Sequence, residues 1–430
     1  MQRYSEYKDS GVQWLGEIPS HWEVKRLRNF LTLFSEKGFG DSQLLSVTRE
    51  KGVILRDKEN KDENHNFVPD DLNGYKHLYA GDFVVNKMKS WQGSYGVSDY
   101  EGIVSPAYFT CKLKGVNPKF FSRAIRSKAY VAFFMQYSKG IRVDQWDLDP
   151  NSMKDIPFVL PNKKEQEAIV NYLDSVTSKI DIAIAQQQKM IDLLNERKQI
   201  IINNAVTKGL NPNVKMKDSG VEWIGEIPEH WEVRRLKHIF VRIADGTHFS
   251  PQIVSEGYPY ITATDVDGKV IDYEKVKRIS SKDFESLVRA GCKPKIGDIL
   301  LVKDGATTGR VGMKSDSVDC VLLSSVAMLT PSTRSTGDFL MFMMMSDMLQ
   351  EQISLSMAGA ALPRITLIKL SNFLGVIPSH KEQIEIAEFV ERKINPLKET
   401  ISIIEQKINL LQERKQIIIN DVVTGKVKII

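Results

Sequence analysis

Residues 162–207 read NKKEQEAIVNYLDSVTSKIDIAIAQQQKMIDLLNERKQIIINNAVT, and residues 379–424 read SHKEQIEIAEFVERKINPLKETISIIEQKINLLQERKQIIINDVVT. The two stretches align at a constant offset of 217, so Lys164-Glu165-Gln166 matches Lys381-Glu382-Gln383. Pro161 and Pro378 interrupt whatever precedes. Asn162 with Glu165, and Ser379 with Glu382, then have the spacing of a capping box, where a cap oxygen and a carboxylate satisfy the free N–H groups of a helix start. From there an apolar seam repeats at 4,3 spacing. In the second copy it runs Val390, Ile394, Leu397, Ile401, Ile404, Ile408, Leu411, Lys415, Ile418 and Val422. In the first it runs Leu173, Thr177, Ile180, Ile184, Gln187, Ile191, Leu194, Lys198, Ile201 and Ala205. So narrow a stripe over such a length predicts a coiled coil rather than an ordinary surface helix. The shared seam makes each helix the simplest partner of the other.

Reach sets their direction. At about 1.5 Å per residue, residues 163–206 form a helix of roughly 66 Å. A parallel pair would oblige the intervening chain to return that whole distance, whereas an antiparallel pair needs no return. The pair is therefore expected to be antiparallel, an intramolecular coiled coil. Pro396, after Asn395, is the one defect and is expected to kink or restart the second helix.

Outside the helices a second repeat appears. Residues 8–27 read KDSGVQWLGEIPSHWEVKRL and residues 217–236 read KDSGVEWIGEIPEHWEVRRL, identical at sixteen of twenty positions with an offset of 209. Four of the six tryptophans lie here, Trp14, Trp22, Trp223 and Trp231. Identity in both halves makes them aromatic anchors to a helix end rather than base-stacking platforms. His21 and His230, matched in the same repeat, read as structural.

Between the repeats lie two dissimilar stretches, roughly Arg28 to Val159 and Lys237 to Val376. They share a layout. Gly81-Asp82 and Gly297-Asp298 each open a β-like run that ends on Lys87 or Lys303. A polar, glycine-rich loop follows, then another β-like run, then a helical reading, Pro118 to Tyr137 or Gly337 to Met357. Phe133, Phe134, Met341, Met343, Met344, Met345 and Met348 have the helical spacing of core residues. Gly209, after the first long helix, is placed as its cap. The fold class is α+β: two similar globular domains and two long helices in an internal pseudo-twofold repeat.

The chain of 430 residues has 26% charged and 42% hydrophobic residues, ordinary soluble values. A net charge of +5 leans towards an anionic partner. Cys111, Cys292 and Cys320 are too scattered for a metal site and suit a reducing cytosol. The polar start is not expected to be a signal peptide, and Phe339 to Met345 is too short to span a bilayer.

Catalytic chemistry is not legible. Residues 305–310 (GATTGR) lack the Gly-Lys-Ser/Thr ending of a phosphate loop, no Asn/Asp-Pro-Pro-Tyr/Phe run occurs, and the seven histidines have no metal spacing. No catalytic or metal-binding residue is nominated. The two polar loops instead have the chemistry of nucleic-acid contact. The first offers Lys87, Lys89, Trp91, Gln92 and Tyr95; the second offers Lys303, Thr307, Thr308 and Arg310. Lys and Arg hold phosphates or read guanine, and Gln reads adenine. An ordinary solvated loop has a similar composition. The same scaffold point carrying different residues in each half is what favours recognition.

The duplicated WxGEIPxHWEVxRL motif, the PxxKEQ helix starts, the LLxERKQIII helix ends, and the LLSVTREKGV and DGTH runs resemble the specificity (S) subunits of type I restriction–modification enzymes, over essentially the whole chain. The resemblance implies two target recognition domains, residues 1–161 and 209–378, with a central spacer helix at 162–208 and a C-terminal spacer helix at 379–430. In the spacer, Ile180, Ile184, Ile191 and Leu194 would face Leu397, Ile401, Ile408 and Leu411. It further implies a non-catalytic, cytoplasmic subunit that binds a split sequence in double-stranded DNA. Its partners would be methyltransferase (M) subunits and restriction (R) subunits; these, not this chain, would use S-adenosylmethionine, ATP and magnesium. The alternative is a coiled-coil scaffold with two protein-binding domains.

Overall fold

The computed structural model describes residues 2–13, 15–56, 68–140, 146–269, 271–357 and 363–429. The chain forms two compact units, Met1–Gln188 with Glu405–Ile430, and Lys189–Ile404. Both boundaries fall inside a long helix. Each unit's core therefore includes part of each long helix.

In the first unit, β1 (Glu23–Arg26) is followed by β2 (Leu31–Phe34) and a hairpin of β3 (Leu45–Thr48) and β4 (Gly52–Leu55). Then come β5 (Phe83–Val85), β6 (Tyr95–Val97), β7 (Phe109–Leu113), α1 (Pro118–Ile125), α2 (Lys128–Tyr137) and β8 (Pro157–Leu160). The central sheet has the order β2-β7-β5-β6 and is antiparallel throughout. The first long helix, α3, covers Lys163–Lys208.

The second unit repeats the plan with β9 (Glu232–Arg235), β10 (Phe240–Asp245), β11 (Ile299–Val302), β12 (Val311–Met313) and β13 (Val326–Pro331). Its sheet order, β10-β13-β11-β12, is the same. Next come α4 (Gly337–Met345), α5 (Asp347–Met357), β14 (Leu374–Ile377) and the second long helix, α6 (His380–Val423). The longer insert of this unit builds a further sheet from Ile253–Val254, Tyr258–Ile261, Lys277–Ile279 and Val321–Leu322.

The expected single helices at Pro118 to Tyr137 and Gly337 to Met357 are each two. Ser127 and Ser346 adopt extended backbone at ψ 157° and 154°, which ends one helix and starts the next. Phe134, Met341, Met343, Met344 and Met348 pack in the cores. The Gly-Asp pairs prove to be matched turns: Gly81 and Gly297 have φ +92° and +89°, and Asp82 and Asp298 accept hydrogen bonds from the backbone N–H of Tyr79 and Lys295.

Every position of the two seams is buried or half-buried, while Ile182, Leu193, Ile200, Ile403, Leu410 and Ile417, off the seam, are exposed. The antiparallel direction is visible inside each unit. In the first, Lys415 of α6 forms an ion pair with Asp181 of α3 at 2.7 Å, and Ile180 shares a core with Ile418 and Ile419. In the second, Ile202, Ala205 and Val206 share a core with Ile386, Ala387, Val390 and Ile394. Of the kink or restart expected at Pro396, the restart does not occur. The helix neither stops nor restarts there: α6 is continuous, and Pro396 lies on the exposed side between buried Ile394 and half-buried Leu397. A proline on the solvent side forfeits one backbone hydrogen bond without disturbing the packed stripe.

The duplicated motifs interlock at the helix starts. Strand β1 pairs antiparallel with β8, and β9 with β14, immediately ahead of each long helix. Glu165 accepts hydrogen bonds from His21 at 3.0 Å and from the indole N–H of buried Trp22 at 3.4 Å. Glu382 does the same for His230 at 2.8 Å and Trp231 at 3.3 Å. The next residue is a buried glutamine in both copies. Gln166 accepts from the N–H of Asn117 and donates to Pro161; Gln383 accepts from Thr336 and donates to Pro378. One Glu-Gln pair thus fastens the repeated opening motif and the first helix of the globular layer to each long helix. Trp22 and Trp231 are the anchors; Trp223 is 40% exposed, and Trp14 lies outside the described residues. Gly209 has φ +73°, a left-handed cap, and its Cα face lies against Trp231.

Candidate nucleic-acid interface

Both candidate loops leave the buried central strand of a sheet, β5 or β11, and return along β6 or β12. In the first unit a short 3-10 turn at Ser90–Gln92 folds the loop back, and the N–H groups of Gln92 and Gly93 donate to Lys89 and Ser90. Gly93 ends that turn at φ +93°, and Gly309 occupies the equivalent place in the second unit at φ +98°. A Cβ is disfavoured in that conformation, so glycine is needed at both. In the second unit Thr308 Oγ1 donates to the Gly305 carbonyl at 2.6 Å, and Arg310 N–H donates to Thr307.

A second segment braces each loop from the side. Leu148 N–H donates to Lys87 at 3.1 Å, and Ile365 N–H donates to Lys303 at 2.8 Å. These residues stand 217 apart. Neighbouring Asp147 binds Lys87 at 3.0 Å, and Trp146 sets its ring 5.4 Å from that of Trp91. In the second unit Arg364 instead pairs with Asp304 at 3.3 Å.

The nine nominated side chains do not share one fate. Lys89 and Arg310 are exposed, and Lys87, Trp91, Gln92, Thr307 and Thr308 are half-buried at the surface. Tyr95 and Lys303 require correction. Tyr95 is wholly buried and stacks on Phe134 at 3.9 Å, so it belongs to the core. Burial pushes its hydroxyl far above the ordinary tyrosine value. Lys303 is 2% exposed, and its ammonium lies 3.3 Å from Asp245 and 3.0 Å from Asp304. That charge is neutralised inside the protein and is not presented to a phosphate. Asp245 comes from the DGTH run, which explains why that run abuts the loop. Sequence reasoning missed the bracing segments. Trp146 is their one conspicuous residue, and nothing in the local pattern links it to a loop more than fifty positions away.

A sequence profile described as the type I restriction modification DNA specificity domain matches residues 228–413. Across the whole chain, the MjaVIII specificity subunit of a type I restriction enzyme from Methanocaldococcus jannaschii is 23% identical and is covered over 98% of its length. The putative MjaX specificity subunit of the same organism is 24% identical over 96% of each chain. The profile and these full-length relatives all support a type I restriction specificity subunit. The fold agrees: a solved chain from a study of complex assembly and conformational transition of the type I R-M system superposes with a TM-score of 0.64 at 14% identity, covering 95% of this chain and 99% of that one. With Tyr95 and Lys303 set aside, Lys87, Lys89, Trp91 and Gln92 form the surface of one loop. Thr307, Thr308 and Arg310 form the surface of the other. No group of side chains able to hold a metal ion occurs among the described residues.

Proposed function

We infer that the chain is a non-catalytic, sequence-specific DNA-binding subunit that reads a bipartite target, one half with each unit, and positions adenine methyltransferase and restriction subunits. The observation that carries this reading is the contrast between frame and loop. The helix-start contacts of Glu165 and Glu382 are duplicated residue for residue, while the loops set on the same sheet position present Lys89, Trp91 and Gln92 in one unit and Thr307, Thr308 and Arg310 in the other. A duplicated frame carrying dissimilar polar surfaces suits two readings of unlike sequences. Phosphate contacts would give affinity, and side chains at base edges would give preference. The partner subunits would supply the chemistry that uses S-adenosylmethionine, ATP and magnesium, and the role belongs to the cytoplasm.

The test is to express the chain with its methyltransferase partner and map adenine methylation across a genome. A single split motif is the expected result. Methylation without sequence preference, or DNA binding whose affinity does not fall with added salt, would refute the reading; the latter outcome would favour a protein-binding scaffold, because phosphate contacts release counterions.

A further inference from the structure

Behind the first loop lies Arg126, at the break between α1 and α2, and its guanidinium reaches four backbone carbonyls. One terminal nitrogen donates to Tyr95 at 2.6 Å and to Gly93 at 3.4 Å; the other donates to Arg49 at 2.8 Å and to Glu50 at 2.9 Å. A single planar group therefore ties the end of the Lys87 to Tyr95 loop to the turn that joins β3 and β4. That turn is closed by Thr48, whose hydroxyl donates to Gly52, and it exposes Arg49, Glu50 and Lys51. A Cβ at Gly52 would lie 3.2 Å from the same guanidinium. The second unit has an analogue built from a different residue. Gln350, from α5, donates from Nε2 to the Gly309 carbonyl and to Met344, both at 2.9 Å. In both units a long polar side chain from the helical layer thus grips the carbonyl of the left-handed glycine that ends the loop.

We propose that Arg126 and Gln350 are positioning residues for recognition, each fixing the conformation of its own unit's reading loop from behind, and that Arg126 makes the exposed Arg49–Lys51 turn part of the first reading surface. The proposal rests on the DNA-reading function inferred above. Its physical ground is that base discrimination needs side chains held to fractions of an ångström, which surface loops achieve only when supporting hydrogen bonds over-determine them. Arginine suits the task because its five donors in one plane can satisfy carbonyls of two separate segments. Lysine has no such spread.

The experiment selects from a randomised duplex DNA library with the full chain and with Arg126→Ala, Arg126→Lys and Gln350→Leu, alongside the loop variants Lys89→Ala and Gln92→Ala. Arg126→Ala is expected to lower preference at one half-site by about tenfold, the scale of a lost base contact, with the other half-site and the salt dependence of binding unchanged. Arg126→Lys should fall between, and Gln350→Leu should relax the opposite half-site. A merely structural role would weaken binding at both halves equally. Should Arg126→Ala fail to fold, Gln350→Leu, which removes only two hydrogen bonds, decides the matter. Preference kept within twofold in the folded clamp variants, while the loop variants lose it, would overturn this proposal and leave the DNA-reading function standing. If the loop variants also keep their preference, the assignment of the loops falls, and this proposal with it.

Discussion

At the start of α3, Glu165 gathers His21, Trp22 and the cap residue Asn162, and Gln166 next to it secures α1; at the start of α6, Glu382 gathers His230, Trp231 and Ser379, and Gln383 secures α4. At the loops the units part company. Lys87 is half-buried and paired with exposed Asp147, whereas Lys303 is sealed between Asp245 and Asp304. Where the first loop sets Trp91 against Trp146, the second has Thr307 and Thr308. Buried contacts shared by both units constrain the sequence identically in each, while surface side chains on one backbone frame are free to differ. The comparison separates residues that make a unit from residues that make it distinct.

The frame side of that comparison should respond equally in both units. Trp22→Ala and Trp231→Ala each remove a fully buried indole and leave a carboxylate short of a donor. Each is expected to cost about 3–5 kcal/mol, read by denaturant unfolding followed in each variant. A large effect in one unit and a negligible one in the other would break the equivalence.

Lys87 and Lys303, at corresponding positions, should respond unequally. Lys303→Met leaves Asp245 and Asp304 facing each other without their shared cation, and about 3 kcal/mol of stability should be lost. Lys87→Met breaks a solvent-accessible pair and should cost less than about 1 kcal/mol. Equal thermal shifts in the two variants would mean that the burial difference has no energetic weight.

At the exposed positions, binding rather than stability should change. Alanine at Lys89 or Gln92 is expected to cost about 1–3 kcal/mol of discrimination at one half-site, and alanine at Arg310 the same at the other. Selection from a randomised duplex library reads this directly. A change at both half-sites from a single loop would contradict the assignment of one loop to one half.

The helix pair was legible because a seven-residue period survives as a pattern in one dimension; every seam position turned out covered. The Gly-Asp turns and the repeated Glu-Gln were visible as repeats, though only the folded chain explains why glutamate and glutamine must be adjacent. The loops were legible in place and not in detail. Tyr95 and Lys303 have the composition of binding residues, and composition does not report that one is the first residue of a buried strand and the other sits opposite an aspartate 58 positions earlier. Arg126 carries no local signal, since its four acceptors lie 31 to 77 residues away in the chain. The restart expected at Pro396 does not occur for a related reason: a helix-breaking propensity is local, and the packing that keeps the helix continuous is not.

The smallest effect concerns the lysine in each seam, Lys198 and Lys415. Lys415 meets Asp181 in the first unit, but the position equivalent to Asp181 in the second is Lys398, which lies near Lys198, the counterpart of Lys415. Partial burial and then the Lys198 ammonium hold Lys398 below the ordinary lysine value, although Asp267 and Glu391 pull the other way and Lys269 adds to the repulsion. Lys398→Asp therefore replaces a like-charge approach with the arrangement the first unit already has. Its gain is limited because Asp267 and Glu391 would then face a third carboxylate, with Glu391 already engaged by Lys269. A stabilisation of about 0.3–0.5 kcal/mol is expected in low salt, shrinking as added salt screens the exposed charges. The reciprocal Asp181→Lys should destabilise by a similar amount. Measured together, the two variants give opposite shifts in unfolding midpoint if seam electrostatics set this difference between the units; shifts of the same sign would show that packing around these positions, and not charge, decides it.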